Sequence, residues 1–375
     1  MKLIVDGRCI PNQLDGTGRV AINLIRALSD ADQNLSLQVL IRSDLSKEIR
    51  RKIPDSIEVL DIPYRHIHPY TVFGLGKVID KLGADIFYSP HMLQPILMKT
   101  PGVITIHDTM WFDQTWTQAQ GKPLRMIAGK IYFRGLVELS VRKAHKIIVP
   151  SKSTCRDLSS FWPNRIKDCH VVYHGVDQLF RQSPDKQLAA DKLNYCGLAG
   201  KKFFLHITNG KPYKNTPRVI EAFLNVADEL DLFIAIVGRR SAFTDSILSL
   251  ISASRAKDRV KFLGSVDDQD LAVLFHAARG LIFPSLFEGF GLPVIEAMSC
   301  GCPVIASDKG SLGEVSGNCA LTVNPESTEE ISAAILALEK DGSLREFLIE
   351  KGLKRAGEFS WDKSATKIIK ILHQV

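Results

Sequence analysis

The residues with the clearest chemical potential form one run, Phe287-Glu288-Gly289-Phe290-Gly291-Leu292-Pro293-Val294-Ile295-Glu296-Ala297-Met298. It follows an apolar segment, Leu281–Phe283, that reads as a strand. Pro293 suits the first turn of a helix, where its missing N–H costs nothing. That helix is expected to run from Pro293 to Cys300 and to stop at Gly301. Gly289 and Gly291 let the backbone come close to a ligand, and free N–H groups at the positive helix end attract a pyrophosphate. Glu288 on the loop and Glu296 in the first turn stand beside that phosphate site. Carboxylates make poor phosphate ligands, so they read as hydroxyl binders, one for a ribose and one for a sugar. A bare pair of glutamates at this spacing would be an ordinary surface feature. The preceding strand and the glycines between them give the pair meaning.

Four other stretches carry candidate groups. Val103–Ile106 reads as a strand ending in His107-Asp108, where Asp108 either orients His107 or caps the next turn. Gly16-Thr17-Gly18-Arg19-Val20 leads into a helix bearing Asn23-Leu24. Phe203–Ile207 runs into Thr208-Asn209-Gly210-Lys211-Pro212-Tyr213-Lys214-Asn215, and another strand ends at Val237-Gly238-Arg239. Ile147-Ile148-Val149-Pro150-Ser151 and Tyr173-His174-Gly175-Val176-Asp177 read mainly as structural, with Ser151 a helix N-cap. Cys300 and Cys302 flank Gly301, but no second Cys/His pair completes a zinc site, so they too read as structural.

The elements that must position these groups alternate. Leu3–Val5, Leu37–Ile41, Asp85–Tyr88, Val103–Ile106, Lys146–Val149 and Val171–Tyr173 are candidate strands, with helical spacing at Thr17–Ser29 and Val72–Leu82. The pattern restarts with strands at Phe203–Ile207, Leu232–Val237, Val260–Phe262, Leu281–Phe283 and Val304–Ala306, and helices at Pro217–Glu229 and Gln269–Ala278. Such alternation predicts an α/β chain of parallel βαβ units with helices on both sheet faces. Two doubly wound domains facing across a cleft are expected, with ligands at the carboxyl ends of the strands. The expected boundaries are 1–180 and 181–358, with a polar linker at Asp177–Lys202 and an amphipathic helix at Trp361–Leu372 within 359–375.

Composition supports this. A chain of 375 residues, 45% hydrophobic and 24% charged, is long enough for two cores and unlike a disordered chain. No apolar run reaches the roughly 18 residues of a membrane span. The start, Met1-Lys2-Leu3-Ile4-Val5-Asp6, reads as a buried strand rather than a signal peptide. Seven scattered cysteines suggest a reducing, cytoplasmic compartment. The net charge of +7 is concentrated in residues 1–180. No nucleic-acid recognition motif accompanies it, so an anionic lipid surface is the better partner.

Residues 281–306 resemble the signature of glycosyltransferase family 4, the large retaining family with the GT-B fold of two Rossmann-like domains. The other stretches match in the right order, so the resemblance spans nearly the whole chain. It implies that Glu288 contacts the transferred sugar and that Glu296 binds the ribose of a donor nucleotide. Backbone N–H groups of Gly289, Phe290, Gly291 and Leu292 would meet sugar and phosphate. It places Gly16 and Gly18 beside the donor phosphates, Arg19 and Asp108 on the acceptor side, and His107 by the transferred sugar. Lys214 matches the family's pyrophosphate lysine, whereas Asn209 stands where an arginine is usual. Lys211 or Arg239 would then supply a second charge, or the backbone alone would suffice. The C-terminal helix, 359–375, is expected to cross back to the N-terminal domain.

Catalysis would assign His107, Glu288 and Lys214. Lys214 and the glycine loop stabilise charge on the leaving nucleotide diphosphate. There is no Asp-x-Asp at a likely donor site, and neither metal nor cofactor is expected. Retention would follow either a double displacement, for which no residue declares itself as the nucleophile, or the front-face attack that the resemblance favours, with the leaving phosphate as base. The Gly16–Arg19 start, the His107-Asp108 pair and Pro212–Asn215 are similar to bacterial polysaccharide mannosyltransferases, which implies GDP-mannose ahead of UDP-hexoses or dTDP-rhamnose. A GT-B sugar-nucleotide epimerase and a catalytically inactive partner of a transferase are the alternatives. Lys122, Arg125, Lys130, Arg134, Arg142, Lys143 and Lys146, with Glu138 the one acid, mark 122–146 as a basic amphipathic helix. Such a helix either lies on anionic lipid or covers its own domain. The first case points to a lipid-linked saccharide acceptor at the inner face of the cytoplasmic membrane.

Overall fold

The computed structural model describes residues 1–110, 112, 124–227, 229–238, 251–252 and 254–375. The chain divides into two compact units, residues 1–175 with 360–375, and residues 176–359.

In the first unit the described strands are β1 (Lys2–Asp6), β2 (Ser36–Arg42), β3 (Glu58–Ile62), β4 (Ile86–Ser89), β5 (Gly102–Thr105), β6 (Lys146–Val149) and β7 (Cys169–Val171). They form one parallel sheet in the order β3-β2-β1-β4-β5-β6-β7. The direction of strand addition reverses between β1 and β4, which makes that junction the switch point where open α/β sheets bind ligands. The central strands are buried on both faces, so their sequences are continuous apolar runs. Helix Gly16–Ala31 covers one face, and helix Trp361–Leu372 packs against it. The stretch Val72–Leu82 is not one helix. It is split at Gly74 into Pro69–Phe73 and Leu75–Lys81.

The second unit contains β8 (Phe203–Thr208), β9 (Phe233–Gly238), β10 (Val260–Gly264), β11 (Gly280–Phe283), β12 (Val304–Ser307) and β13 (Leu321–Val323). Their order, β10-β9-β8-β11-β12-β13, is the parallel dinucleotide-fold order with its switch point between β8 and β11. Both units are thus the doubly wound α/β domains that the alternation predicts. The core beneath the sheet joins Phe204, Ile234, Ile236, Ile282 and Ile305 to Val219, Ile220 and Phe223 of helix Thr216–Ala227.

Three further expectations need correction. Asp177–Lys202 is not a linker, because it lies within the second unit and contains helix Lys186–Tyr195, capped by Asp185. Among the described residues the basic helix is Leu124–Lys143, so it ends before 146. Lys146 opens β6, Lys122 lies outside the described residues, and the side chains of Arg125 and Lys130 are likewise undescribed. Nor is the helix amphipathic. Leu136, Val137 and Val141 are buried, but Ile131 is 67% exposed and Tyr132 and Leu139 also face water. Among its described side chains the apolar residues are spread around the axis instead of gathered on one stripe.

Candidate active site

At the switch point of the second unit, two loops meet that are far apart in sequence. The loop after β8 contains a 3₁₀ turn, Pro212–Lys214, and the loop after β11 contains Glu288. Lys214 Nζ donates to Glu288 Oε1 at 2.6 Å, with side chains only 10% and 12% exposed. The ammonium also sits 4.5 Å from the centre of the Phe283 ring, a favourable cation–π position. Sequence separation is 74 residues, so only the fold brings this pair together.

Several residues that the sequence did not single out hold the loops in place. Asn215 adopts left-handed geometry, φ 58°, which ends the 3₁₀ turn. Its side-chain amide donates to the carbonyls of Pro284 (3.1 Å) and Pro325 (2.6 Å). The Leu286 N–H donates to the Tyr213 carbonyl at 2.8 Å, stitching one loop to the other. Ser311 donates both its N–H (3.2 Å) and its hydroxyl (3.0 Å) to the Glu288 carbonyl. Gly310, at φ +60°, lets that contact form, since a Cβ there would lie 2.8 Å from the Glu288 oxygen. His206 on β8 sets its Nδ1 2.8 Å from the Ile282 carbonyl and its Nε2 3.0 Å from the Thr216 hydroxyl. Burial pushes its pKa down to about 4, so it bridges β8 and β11 as a neutral ring.

The other expected donor residues are distributed as follows. Helix Leu292–Ser299 begins one residue earlier than expected, with Pro293 in its first turn. Gly291 is its N-cap at φ +97°, with no side-chain cap, so the helix end keeps the backbone amides that attract anions. Phe290 turns its ring inward against Phe359, with centroids 5.8 Å apart, and anchors the loop. Gly289 lies between Glu288 and that anchor. Glu296 is 3% exposed and lies in the second turn, not the first. Asn209 is exposed; its amide donates to the Tyr213 hydroxyl at 2.6 Å and its carbonyl oxygen accepts from the Lys211 N–H, bracing the lysine loop. Arg239 lies outside the described residues.

Gly291→Ala is expected to lower the stability of the second unit by about 2 kcal/mol, because a left-handed alanine is strained. Its Cβ would also meet Leu312 Cδ2 at 2.5 Å, in a fully buried position. The thermal midpoint of that unit should fall by several degrees. An unchanged midpoint would mean that the loop relaxes without cost.

In the first unit, Gly16 and Gly18 occupy the first turn of a helix instead of a free loop. The Gly18 N–H is already taken by the Asp15 carboxylate at 2.9 Å, and a Cβ at Gly18 would strike Pro11 Cδ at 2.6 Å. Gly16 opens on free space. Arg19 is half-buried one turn into this helix. His107 follows β5, with Nε2 2.9 Å from the Pro90 carbonyl. A carbonyl only accepts, so Nε2 carries the proton and Nδ1 the lone pair. Burial lowers the pKa of this ring, which keeps it neutral. Asp108 caps the next turn, accepting from the Met110 N–H at 3.0 Å. His174 stacks on Trp361, and Ser151 caps helix Lys152–Phe161, so both landmarks have the structural roles expected of them. Cys300 and Cys302 are buried among core residues, also as expected.

Residues 197–355 match the family model described as glycosyl transferases group 1, and residues 14–178 match the one described as glycosyltransferase family 4. O-antigen chain mannosyltransferase B of Escherichia coli is 37% identical over 396 residues, covering 98% of each chain. O-antigen chain mannosyltransferase RfbU of Salmonella typhimurium is 28% identical over 70% of this chain and 68% of its own. Among solved structures, Anabaena HepE in complex with UDP and glucose has a TM-score of 0.78 at 20% identity, covering all of both chains. A glycosyltransferase from Rickettsia africae has a TM-score of 0.78 at 16% identity, covering 100% of this chain and 98% of that one. Two doubly wound units, a lysine and a glutamate joined at a switch point, and a relative this similar along its whole length lead to one conclusion: the chain belongs to the family 4, group 1 glycosyltransferases.

Proposed function

We propose that the chain is a retaining mannosyltransferase that moves mannose from GDP-mannose to a saccharide or lipid-linked saccharide in cell-surface polysaccharide assembly. The observation that carries the site assignment is the Lys214–Glu288 pair beside the uncapped helix end at Gly291. The names of the relatives, which are O-antigen mannosyltransferases, support the sugar and the process. In this reading the donor pyrophosphate lies against Lys214 and the amides at Gly291–Leu292. Both are placed to stabilise negative charge as the glycosidic bond to phosphate breaks. Glu288 accepts hydroxyls of the transferred sugar, and buried Glu296 accepts those of the ribose. The leaving phosphate takes the proton of the acceptor hydroxyl on the same face, which keeps the anomeric configuration and calls for neither a metal nor a cofactor. His107, neutral with its Nδ1 lone pair free of the Pro90 contact, takes the role of the sugar-side histidine, and Arg19 and Asp108 serve the acceptor.

Among the described residues no helix is long and apolar enough to cross a membrane. A peripheral contact fits the exposed Ile131, Tyr132 and Leu139 beside Arg142 and Lys143, which together offer apolar and cationic groups to an anionic lipid surface.

Calorimetric titration with GDP, UDP, dTDP and CMP, without metal, tests this function. GDP is expected to bind most tightly, and Glu296→Ala is expected to weaken it about tenfold through loss of charged hydrogen bonds to the ribose. Tight binding of UDP or dTDP instead would move the donor to a UDP-hexose or dTDP-rhamnose. Folded protein that binds none of them would overturn the donor site.

A further inference from the structure

The mechanism uses none of the seven cysteines, yet two of them meet. Cys155 lies on helix Lys152–Phe161 and Cys169 opens β7. Their sulfurs are 3.0 Å apart, about 1 Å beyond the bond length of a disulfide. Both side chains are half-buried, so small oxidants can reach them. The segment between them is tied down by side-chain contacts. The Trp162 indole donates to Glu138 Oε2 at 2.6 Å, the Arg165 guanidinium donates to the Arg142 carbonyl at 3.2 Å, and Arg165 also pairs with Asp168 at 3.4 Å. Forming a bond would therefore need only a small approach of two side chains already pointed at each other, with no loop to rebuild.

We propose that Cys155 and Cys169 form a reversible disulfide when the protein meets a hydroperoxide, clamping the edge strand β7 to helix Lys152–Phe161. In the first step an S–O bond forms on one sulfur as the peroxide O–O bond breaks, giving a sulfenic acid and, from hydrogen peroxide, water. In the second step the other sulfur attacks it. The S–S bond forms, the S–O bond breaks, and hydroxide leaves with the attacking thiol's proton as a second water. Two thiols lose two electrons in all, and peroxide gains them. A thiol reductant restores the pair. Burial and the neighbouring sulfur hold the Cys169 thiol well above the usual cysteine range, which keeps it protonated and unreactive until its partner is oxidised. The clamp would matter because β7 is a short edge strand whose residues are only half-buried, and it leads within a few residues to the boundary at Gly175. Cross-linking it would stiffen the strand that feeds this crossing of the chain.

The full chain is treated with hydrogen peroxide, unreacted thiols are alkylated, and the protein is digested with trypsin without reduction. The expected product is a cross-link between peptides 153–156 and 168–181, two hydrogens lighter than their sum. Dithiothreitol should dissolve it, and Cys155→Ser and Cys169→Ser should each abolish it. The thermal midpoint of the first unit should rise on oxidation in the native chain and in neither variant. Two results would overturn the proposal. One is that both thiols stay alkylatable while half-buried Cys196 and Cys319 are oxidised. The other is that Cys155 or Cys169 accumulates as sulfinic acid without any cross-link.

Discussion

Replacing Glu288 by glutamine is expected to lower transfer, or slow donor hydrolysis, by about 10²–10³-fold, the loss typical of one group that stabilises a transition state. Binding of the free nucleoside diphosphate should follow the opposite course. Lys214 donates to Glu288 at 2.6 Å, and a pyrophosphate would have to draw the ammonium away from that carboxylate. Glutamine keeps the shape and hydrogen-bonding reach of the side chain but gives up the charge that competes for Lys214. A partly buried ion pair of this kind is worth on the order of 1 kcal/mol, so the nucleotide should bind about fivefold more tightly to Glu288→Gln. Lys214→Met should lose both binding and transfer, because it removes the group that meets the phosphate. Titration calorimetry beside a transfer assay separates the two effects. A parallel fall in binding and transfer for Glu288→Gln would show that the glutamate supports the donor phosphates rather than competing with them.

Acid should destabilise the second unit through His206. Its imidazole is fully buried and its pKa is about 4, against an ordinary value of 6.5 in the unfolded chain. The folded state therefore favours the neutral ring. That contribution is present in full above pH 6.5, is lost progressively as pH falls from 6.5 towards 4, and changes no further below. A shift of this size corresponds to about 3 kcal/mol between the two ends of the window. Half-buried His276, whose pKa is also lowered, acts in the same direction. His206→Gln removes the titrating group, so it should lower stability at neutral pH and flatten the profile between pH 6.5 and 4. Urea unfolding followed across this range reads both changes. If the variant keeps the slope of the native chain, the acid sensitivity belongs to other groups.

Much of the architecture was legible because the strands that matter are buried on both faces. Leu3–Val5 and Leu281–Phe283 are continuous apolar runs, and Phe203–Ile207 is broken only by His206, so nothing competes with the strand reading. Edge strands are different. Glu58–Ile62 and Leu321–Val323 face water on one side and are short, so their apolar pattern is too thin to stand out. The helix at Leu124–Lys143 was found, but its face was misjudged, because charge spacing along a sequence does not say which turn packs on the sheet. At the candidate site the local features were readable. Proline and glycine announced the start of helix Leu292–Ser299, and the preceding strand fixed its direction. What the sequence hid was everything that depends on chain crossings. Lys214 and Glu288 are brought together by strand order, and Gly310, Ser311 and Asn215 act through backbone contacts that leave no periodic trace. The positive φ of Asn215 is a conformation that asparagine tolerates, but the residue type alone does not demand it.

Helix Trp361–Leu372 follows the second unit in sequence and completes the first. Trp361 stacks on His174, the Ser364 hydroxyl donates to the Tyr173 carbonyl at 2.6 Å, and the helix packs along Gly16–Ala31. During synthesis every residue of 176–359 is therefore made before that helix exists. At typical translation rates this is a wait on the order of ten seconds. Through that interval the apolar side of helix Gly16–Ala31 lacks its cover, and by its end the second unit has its whole sequence. The later unit in the chain can thus mature first, and the earlier one stays exposed to chaperones and proteases until residues 360–375 have been made.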